Sequence, residues 1–325
     1  MEIWPAAKQG LLSLRERVRR VPQAGGRERL LYGPEMVVAV SWFSLATLLV
    51  TAFHESVEAW WVYALVNLAL VTAAVLFSRY VQRCPVGLGN WIRAFGAVGF
   101  ILCAYTELGY ILPAIRPTDQ DELLIAIDRW LFGVDPTVWL ERFTHPVLTE
   151  VLQAVYATFY FLPVAFGGVL IVKGRHREFD ATILTVVLSF YLSYLGYVLV
   201  PAVGPRFTLR EYQSIPLEGV WSYGTVSHVL NSIEPTKKDC FPSGHTLVAL
   251  AVLWCAWRYH RRSLLVFGPV ALGIVFSTVY LRYHYAIDLV AAAVLLVPIA
   301  ILSPRLASRY VGHAERLHDD PELAE

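Results

Sequence analysis

The stretch from Asp239 to Thr246 carries polar, turn-forming residues into an apolar run, Leu247 to Trp257. At the start of a helix the N–H groups of Ser243, Gly244 and His245 would lack helical partners. Such groups, with the positive end of the helix dipole, bind anions, and glycine lets an anion approach the backbone closely. We therefore predict an anion site here, with His245 beside it as a proton donor. The alternative is a histidine that only completes the helix end.

A second polar cluster opens the last apolar run of the chain. His284 and Asp288 are four residues apart and therefore share one face of a helix. A carboxylate bonded to one imidazole nitrogen fixes the tautomer and leaves the other nitrogen as a base or nucleophile. Two interpretations stay open: a histidine oriented by aspartate that attacks an electrophile, or a polar pair that caps a helix. Ionisable residues in membrane spans are costly and usually functional.

Four basic residues lie close to these clusters in the sequence. Arg206 ends the fifth apolar run, and Arg282 lies two residues before His284. A guanidinium matches the geometry of a phosphate with its planar fork, so we predict phosphate binding by both arginines, with anchoring to lipid headgroups as the alternative. Lys237 and Lys238 precede the Ser-Gly-His turn. For these lysines, phosphate binding and anchoring to lipid headgroups are equal alternatives.

The combined residue types predict phosphoryl transfer. Cations and N–H groups hold a phosphate, a His–Asp pair supplies a nucleophile, and a second histidine protonates the leaving alcohol. The sequence has no Asp-rich or His-rich metal motif, and its four cysteines form no Cys-x-x-Cys pair. We therefore expect no metal, no cofactor and no disulfide framework.

The composition predicts that membrane helices position these residues. The chain is 56% hydrophobic and 16% charged, with a mean hydropathy of +0.51, which is typical of membrane proteins. We predict an all-α, polytopic transmembrane helix bundle, with interfacial helices at 121–132 and 138–143 and no nucleic-acid partner. A span takes roughly 20 apolar residues, and about eight are predicted: 35–53, 57–78, 91–113, 147–172, 181–203, 244–258, 263–281 and 284–303.

The loops between these spans alternate in charge. The segment 1–34, the tail and the loops after the second, fourth and sixth spans are basic, whereas the opposite loops are acidic or mixed. The positive-inside rule then predicts cytoplasmic termini, with the polar residues 204–206, 239–246 and 282–288 on the extracytoplasmic side. Segment 1–34 is either an amphipathic helix on an anionic leaflet or a solvated tail. The polar segment 204–240 is long enough to be a functional or mobile loop.

At these residues the chain resembles the type 2 phosphatidic acid phosphatase superfamily. The family's second motif is matched fully by Pro242-Ser243-Gly244-His245, the third by Ser277, His284 and Asp288, and the first in part by Arg206. In this chain Leu199 stands where the family has a lysine, and Thr278 stands where it has an arginine. We propose that Arg282 replaces the arginine and that Lys237 or Lys238 replaces the lysine.

The branch it resembles is the inositol phosphorylceramide synthase group with its bacterial relatives, on the residues 127–136, 204–206 and 284–288. The resemblance implies four parts: a basic N-terminal segment (1–34), two accessory helices (35–90), a six-helix phosphatase-type core (91–303) and a cytoplasmic tail (304–325). It also implies residue roles: His284 forms a phosphohistidine, Asp288 orients it, His245 protonates the leaving group, and Ser243, Gly244 and Arg206 hold the phosphoryl oxygens.

We therefore expect a lipid phosphatase or phosphotransferase of the bacterial inner membrane. Its substrate is a membrane lipid, and its acceptor is water or an alcohol or polyol. One alternative is a headgroup transferase similar to inositol phosphorylceramide synthase, and another is a non-catalytic lipid-binding or transport protein. Glu107 either lines the same cavity, where it binds a substrate hydroxyl or amine, or makes hydrogen bonds at the interface. The sequence does not indicate an oligomeric state.

Overall fold

The computed structural model describes residues 33–233 and 237–319, and this part of the chain is helical, with no strand. The structure confirms the predicted all-α bundle of membrane helices. The predicted N-terminal segment lies almost wholly outside the described residues. The helices longer than four residues in the described part are α1 (Pro34–Ala52), α2 (Trp60–Val81), α3 (Val86–Ile115), α4 (Asp121–Phe132), α5 (Pro146–Ala157), α6 (Leu162–Val172), α7 (His176–Leu199), α8 (Tyr223–Ile233), α9 (Gly244–Tyr259), α10 (Leu264–Tyr280) and α11 (Ala286–Asp319).

The spans differ from the predicted set of eight in two places. Within the described residues, six helices are long and apolar enough to cross a membrane: α1, α2, α3, α7, α10 and α11. The predicted span 147–172 is broken into α5 and α6, which meet at 55°. Pro163 lies in the first turn of α6, where it cannot donate a helical hydrogen bond to the preceding turn. Counting the bent pair as one span gives seven.

Helix α9 corresponds to the sixth predicted span, 244–258, and is too short to be counted among the seven. It has 16 residues and is therefore about 24 Å long, whereas the hydrocarbon core of a bilayer is about 30 Å thick. Two further helices differ from the sequence-based expectation. Helix α8 lies inside the segment that was predicted as a loop, and α11 continues through Asp319, beyond the predicted start of the tail at 304.

Helix α7 is the centre of the bundle and packs against α1, α3, α6, α9 and α11. Its interior face carries hydroxyl residues that would be costly to bury unpaired. Thr185, Ser189 and Ser193 each donate to the carbonyl four residues earlier, over 2.6–2.9 Å. Gly196 lets the loop before α9 lie directly on α7, because a Cβ there would collide with Pro242.

A buried ionic cluster joins α1 to the rest of the bundle. Arg93 on α3 binds both carboxylate oxygens of Glu35 over 2.7 and 2.9 Å, and it also binds Asp180 on α7 over 2.5 Å. Glu35 and Arg93 are almost fully buried. A second buried contact joins α2 to α3, where Asn67 donates to Glu107 over 2.8 Å. The first contact holds α1 against α3, and the second holds α2 against α3.

Candidate active site

The two predicted histidines meet at one end of the bundle, where α9 and α11 begin; we call this the site end. The ring centroids of His245 and His284 are 5.9 Å apart, with 55° between the ring planes. His245 lies in the first turn of α9, and His284 lies in the tight turn between α10 and α11. His284 is 4% exposed. The rings are therefore close enough to act on the two sides of one phosphoryl group.

The orientation of His284 depends on a backbone carbonyl as well as on Asp288. Its Nδ1 lies 2.8 Å from the carbonyl oxygen of Cys240 and 3.4 Å from Oδ2 of Asp288. With Nδ1 donating to these oxygens, Nε2 is left with the lone pair that a nucleophile needs. The role of Cys240 was not predicted, because any residue type can supply a backbone carbonyl.

Asp288 is itself held in place by two donors besides the imidazole. The N–H of Tyr285 donates to its Oδ2 over 2.8 Å, and the thiol of Cys240 donates to the same oxygen over 3.0 Å. Asp288 is fully buried, so these hydrogen bonds offset part of the cost of its charge. The carboxylate thus fixes the turn that carries His284.

Aromatic rings from the broken span enclose His245. Tyr156 stacks on the imidazole with ring centroids 4.5 Å apart, and Phe159 lies 4.2 Å from it. The hydroxyl of Tyr156 is 3.5 Å from Nδ1 of His245. Neither aromatic residue was singled out from the sequence, since their approach to His245 depends on the bend between α5 and α6.

At the start of α9, the N–H of Ser243, which was predicted as part of an anion site, donates instead to the backbone carbonyl of Asp288 over 3.3 Å. Ser243 is the N-cap, and its Oγ accepts from the N–H of Thr246 over 3.2 Å, as serine typically does at this position. A Cβ on Gly244 would lie 2.5 Å from the hydroxyl oxygen of Tyr197. A larger residue at this position would therefore have to displace the hydroxyl of Tyr197 on α7.

Helix α4 clamps two of the loops that form the site. The carboxylate of Asp121 accepts from the N–H groups of Val203 and Gly204 over 3.0 and 2.8 Å, and also from the hydroxyl of Tyr285 over 2.8 Å. The Gly204-Pro205-Arg206 turn and the start of α11 are thereby tied to one helix.

A second carboxylate of α4 binds the N-terminus of α11. Asp128 accepts from the N–H groups of Ala286 and Ile287 over 2.9 and 2.7 Å, which places a negative charge at the positive end of that helix. Burial raises the pKa of Asp128 to about 6, although both hydrogen bonds act to lower it. The sequence predicted α4 as a helix but not this contact.

The four predicted cations have different surroundings. The guanidinium of Arg206 lies 4.9 Å from the ring centroid of Tyr283, next to His284 in the sequence. Arg282 forms an ion pair with Glu141 over 2.9 Å. The ammonium of Lys238 is 2.6 Å from Asp119 and binds two carbonyls near the end of α3. Lys237 is exposed.

From the sequence, Lys237 or Lys238 was proposed to replace the lysine of the family's first motif, and Arg282 the arginine of its third. The contacts of Lys238 and Arg282 bear on that proposal. The charge of Lys238 is balanced by Asp119, so its contacts indicate a structural role in place of phosphate binding. Arg282 is likewise balanced by Glu141. Arg206 remains the predicted cation whose contacts place it beside the turn that carries His284.

An apolar cavity of about 130 Å³ leads from His245 into the bundle. It lies between α3, α6 and α7, and His245, Gly244 and Asp239 line its polar end. Tyr105 donates to Asp239 over 2.6 Å, and burial raises the pKa of Asp239 above its ordinary value. Glu107 does not line this cavity; it contacts Asn67 instead.

One group of side chains at the site has the composition of a metal site. Ligand atoms of Cys240, His284 and Asp288 lie within 4.8 Å of one another. The thiol of Cys240 donates its proton to Asp288, and burial raises the pKa of that thiol well above its ordinary value. A thiolate ligand would require loss of this proton, so the arrangement fits a hydrogen-bonded turn better than a bound ion.

Comparison with known proteins gives a family assignment. The family model of the PAP2 superfamily matches residues 122–302, which is more than half of the chain and includes both histidines and Asp288. A PA-phosphatase related-family protein of Dictyostelium discoideum is 29% identical over 110 residues, or 33% of this chain. The chain covers 20% of the length of that relative. No solved structure matches the chain.

Proposed function

The chain belongs to the PAP2 superfamily, and from this we propose that it is a lipid phosphatase or phosphotransferase that acts through a phosphohistidine. The observation that carries the proposal is the pair of imidazoles with centroids 5.9 Å apart at the N-terminus of α9, that of His284 buried and that of His245 half-buried. The chain is an integral membrane protein with at least six apolar helices in its described part. A membrane lipid is therefore the substrate that the surroundings of the site favour.

The proposed reaction has two steps on one phosphorus atom. Nε2 of His284 attacks phosphorus, the bond from phosphorus to the leaving oxygen breaks, and His245 gives that oxygen its proton. Water or an alcohol then passes a proton to His245 and forms a new bond to phosphorus, while the phosphorus–nitrogen bond breaks. The N–H groups at the start of α9 and the guanidinium of Arg206 would stabilise the charge on the phosphoryl oxygens.

The apolar cavity supports a lipid substrate over a soluble phosphate ester. Its lining is almost wholly apolar until it reaches Asp239, Gly244 and His245. One acyl chain in this cavity would bring the attached phosphate to the start of α9. Burying that chain contributes about 0.8 kcal/mol for each CH₂ group, which a soluble ester of the same headgroup lacks.

The burial of the site favours transfer to an alcohol as the second candidate reaction. His284 is 4% exposed and His245 lies between two aromatic rings, so bulk water has little access to the proposed intermediate. In the inositol phosphorylceramide synthase-like alternative, a lipid or polyol hydroxyl takes the phosphoryl-linked headgroup.

The basic loops support cytoplasmic termini and an extracytoplasmic site, as proposed for a bacterial inner membrane protein.

The proposal is tested with purified protein and radiolabelled lipid phosphates or phospholipids, with and without alcohol acceptors. We expect His284→Ala to lose activity by about a thousandfold or more and to form no acid-labile phosphoprotein, whereas His245→Ala accumulates it slowly. His228→Ala is the matched control, because His228 is an exposed histidine of α8. Equal turnover by the wild type and His284→Ala would exclude this mechanism, and product formed only with an alcohol would identify a transferase.

A further inference from the structure

One carboxylate lies at the polar end of the apolar cavity that leads from His245 into the bundle. It belongs to Asp239, and no other acidic side chain of the described residues lines this cavity. In the proposed reaction His245 protonates the leaving oxygen of the lipid, so the carbon atoms next to that oxygen would lie in the same polar end. Asp239 is therefore placed to contact the lipid beside its phosphate, a role that the two proposed steps do not use.

The position of Asp239 is fixed by its neighbours on both sides. The ammonium of Lys238 binds two carbonyls near the end of α3 over 2.9 and 3.0 Å. The N–H of Cys240 donates to the carbonyl of Ala202 over 3.2 Å. The carboxylate thus belongs to a wall of the cavity that is tied to the bundle before and after it.

The carboxylate of Asp239 is oriented by a tyrosine of α3. The hydroxyl of Tyr105 donates to Oδ2 of Asp239 over 2.6 Å, and its ring packs on that of Tyr194 with centroids 5.9 Å apart. Within 33–233 and 237–319 no other side chain donates to Asp239. Because a carboxylate can accept about four hydrogen bonds, Asp239 keeps acceptor capacity for a ligand in the cavity.

The charge of Asp239 is not paired with a cation in the described part of the chain. Lys238, its neighbour in the sequence, forms an ion pair with Asp119 over 2.6 Å instead. Arg206 and His284 act on Asp239 only as more distant charges. A carboxylate in apolar surroundings is costly unless a cation neutralises it. A cationic group of a ligand would therefore bind here more tightly than a neutral one.

We propose that Asp239 determines substrate specificity by binding an ammonium group on the carbon next to the phosphate-bearing carbon of the lipid. The inference rests on the proposed function and names the substrate class for that site, single-chain amino-alcohol phosphates. An ammonium offers three donors, and hydrogen bonds between charged groups are about twice as strong as neutral ones. An acyl ester at the same carbon would instead place an acceptor against an acceptor, which selects against diacyl lipid phosphates.

The test compares three synthetic single-chain lipid phosphates of equal, short chain length. One is a plain alkyl phosphate, one carries an amino group on the carbon next to the phosphate-bearing carbon, and one carries a hydroxyl there. Binding is measured by calorimetry with His284→Ala protein, so that turnover does not interfere. We expect the amino compound to bind about tenfold or more tightly than the plain compound, with the hydroxyl compound in between.

Asp239→Asn should remove most of the advantage of the amino compound, because an amide cannot neutralise an ammonium. Its binding of the plain compound should persist or strengthen, since a negative charge near the phosphate is lost, and this binding is the control for folding. Glu122→Gln is the matched control variant, because Glu122 is an exposed carboxylate of α4 that does not line the cavity. This variant should keep the full advantage of the amino compound.

Equal binding of the amino and plain compounds by His284→Ala protein would overturn the inference, whether or not Asp239→Asn folds. An advantage that survives Asp239→Asn would overturn the role of Asp239, and a hydroxyl compound that binds as tightly as the amino compound would overturn the choice of an ammonium. Failure of all three phosphates to bind would overturn the proposed function, and this inference with it. The failure of the inference alone is therefore distinct from the failure of the function on which it rests.

Discussion

His284 contacts two acceptors with the same ring nitrogen, and the backbone acceptor is the closer one. The carbonyl of Cys240 lies at 2.8 Å and the carboxylate of Asp288 at 3.4 Å. A carbonyl is sufficient to fix the tautomer, but only the carboxylate can stabilise a positive charge on the ring. The two contributions can therefore be separated by substitution.

We expect Asp288→Asn to lower kcat by about ten- to a hundredfold, which corresponds to one hydrogen bond to a charged group. The loss should stay well below that of His284→Ala, because the Cys240 carbonyl still orients the ring. Steady-state kinetics of both variants, with circular dichroism as the control for folding, provide the measurement. A loss as large as that of His284→Ala would mean that the carbonyl contact has no orienting role.

Among single residues of the candidate site, the sequence predicted those whose grouping depends only on neighbouring positions along the chain. His284 and Asp288 were predicted as a pair because four residues separate them, and His245 because it opens a helix. Tyr156 could not be predicted, since it reaches His245 only through the bend after α5. The ion pair of Lys238 with Asp119 was also missed, because it joins loops 119 residues apart in the chain.

Among the helices, α4 has a role that its amphipathic sequence does not reveal. Its two buried carboxylates, Asp121 and Asp128, hold the turn before Arg206 and the start of α11. Asp128 is surrounded by protein, and burial raises its pKa from 3.8 to about 6. The clamp should therefore respond to pH over this interval.

For Asp128 the sign of the effect follows from the pKa values. A carboxyl with a raised pKa in the folded state binds its proton more tightly there, so the free energy of unfolding falls as pH rises from about 4 to about 6. The difference is on the order of 3 kcal/mol. Thermal unfolding of the wild type and Asp128→Asn in detergent across this range measures it; parallel curves for the two proteins would contradict the assignment.

Apart from the C-terminal extension of α11 to Asp319, the ends of the unbroken apolar helices lie within about five residues of the predicted ones, because length and hydropathy determine a span. The break of the fourth span and the existence of α8 were not predicted. A proline near a helix start is compatible with a straight helix as well as a bent one. Helix α8 lies in a segment rich in Gly, Pro and Ser, and Leu230 of this helix is buried by tertiary contacts with α5.

In the whole molecule, the helices outside the matched family region are attached by a buried charge cluster. The family model begins in α4, so α1, α2 and α3 lie outside it. Arg93 binds Glu35 of α1 and Asp180 of α7. One cation thereby joins an accessory helix to the central helix of the bundle.

Removal of this cation should loosen the whole bundle. We expect Arg93→Met to lower the free energy of unfolding by about 3–5 kcal/mol, because the buried carboxylate of Glu35 and the partly buried carboxylate of Asp180 lose their partner. Arg79→Met is the matched control, since Arg79 is an exposed arginine at the end of α2. Thermal unfolding in detergent compares the variants, and equal midpoints would show that the cluster contributes no net stability.

The length of α9 has a consequence for the membrane around the protein. A helix of 16 residues is shorter than the bilayer by about 6 Å. Because most of its side chains are buried among other helices, lipids do not adapt to it, and an end of the helix must lie below the headgroups. The rate should therefore depend on bilayer thickness and decline in phosphatidylcholine vesicles of increasing acyl-chain length. The difference between bilayer thickness and helix length would then determine how far a lipid phosphate must move from the headgroup layer to reach the imidazoles of His245 and His284.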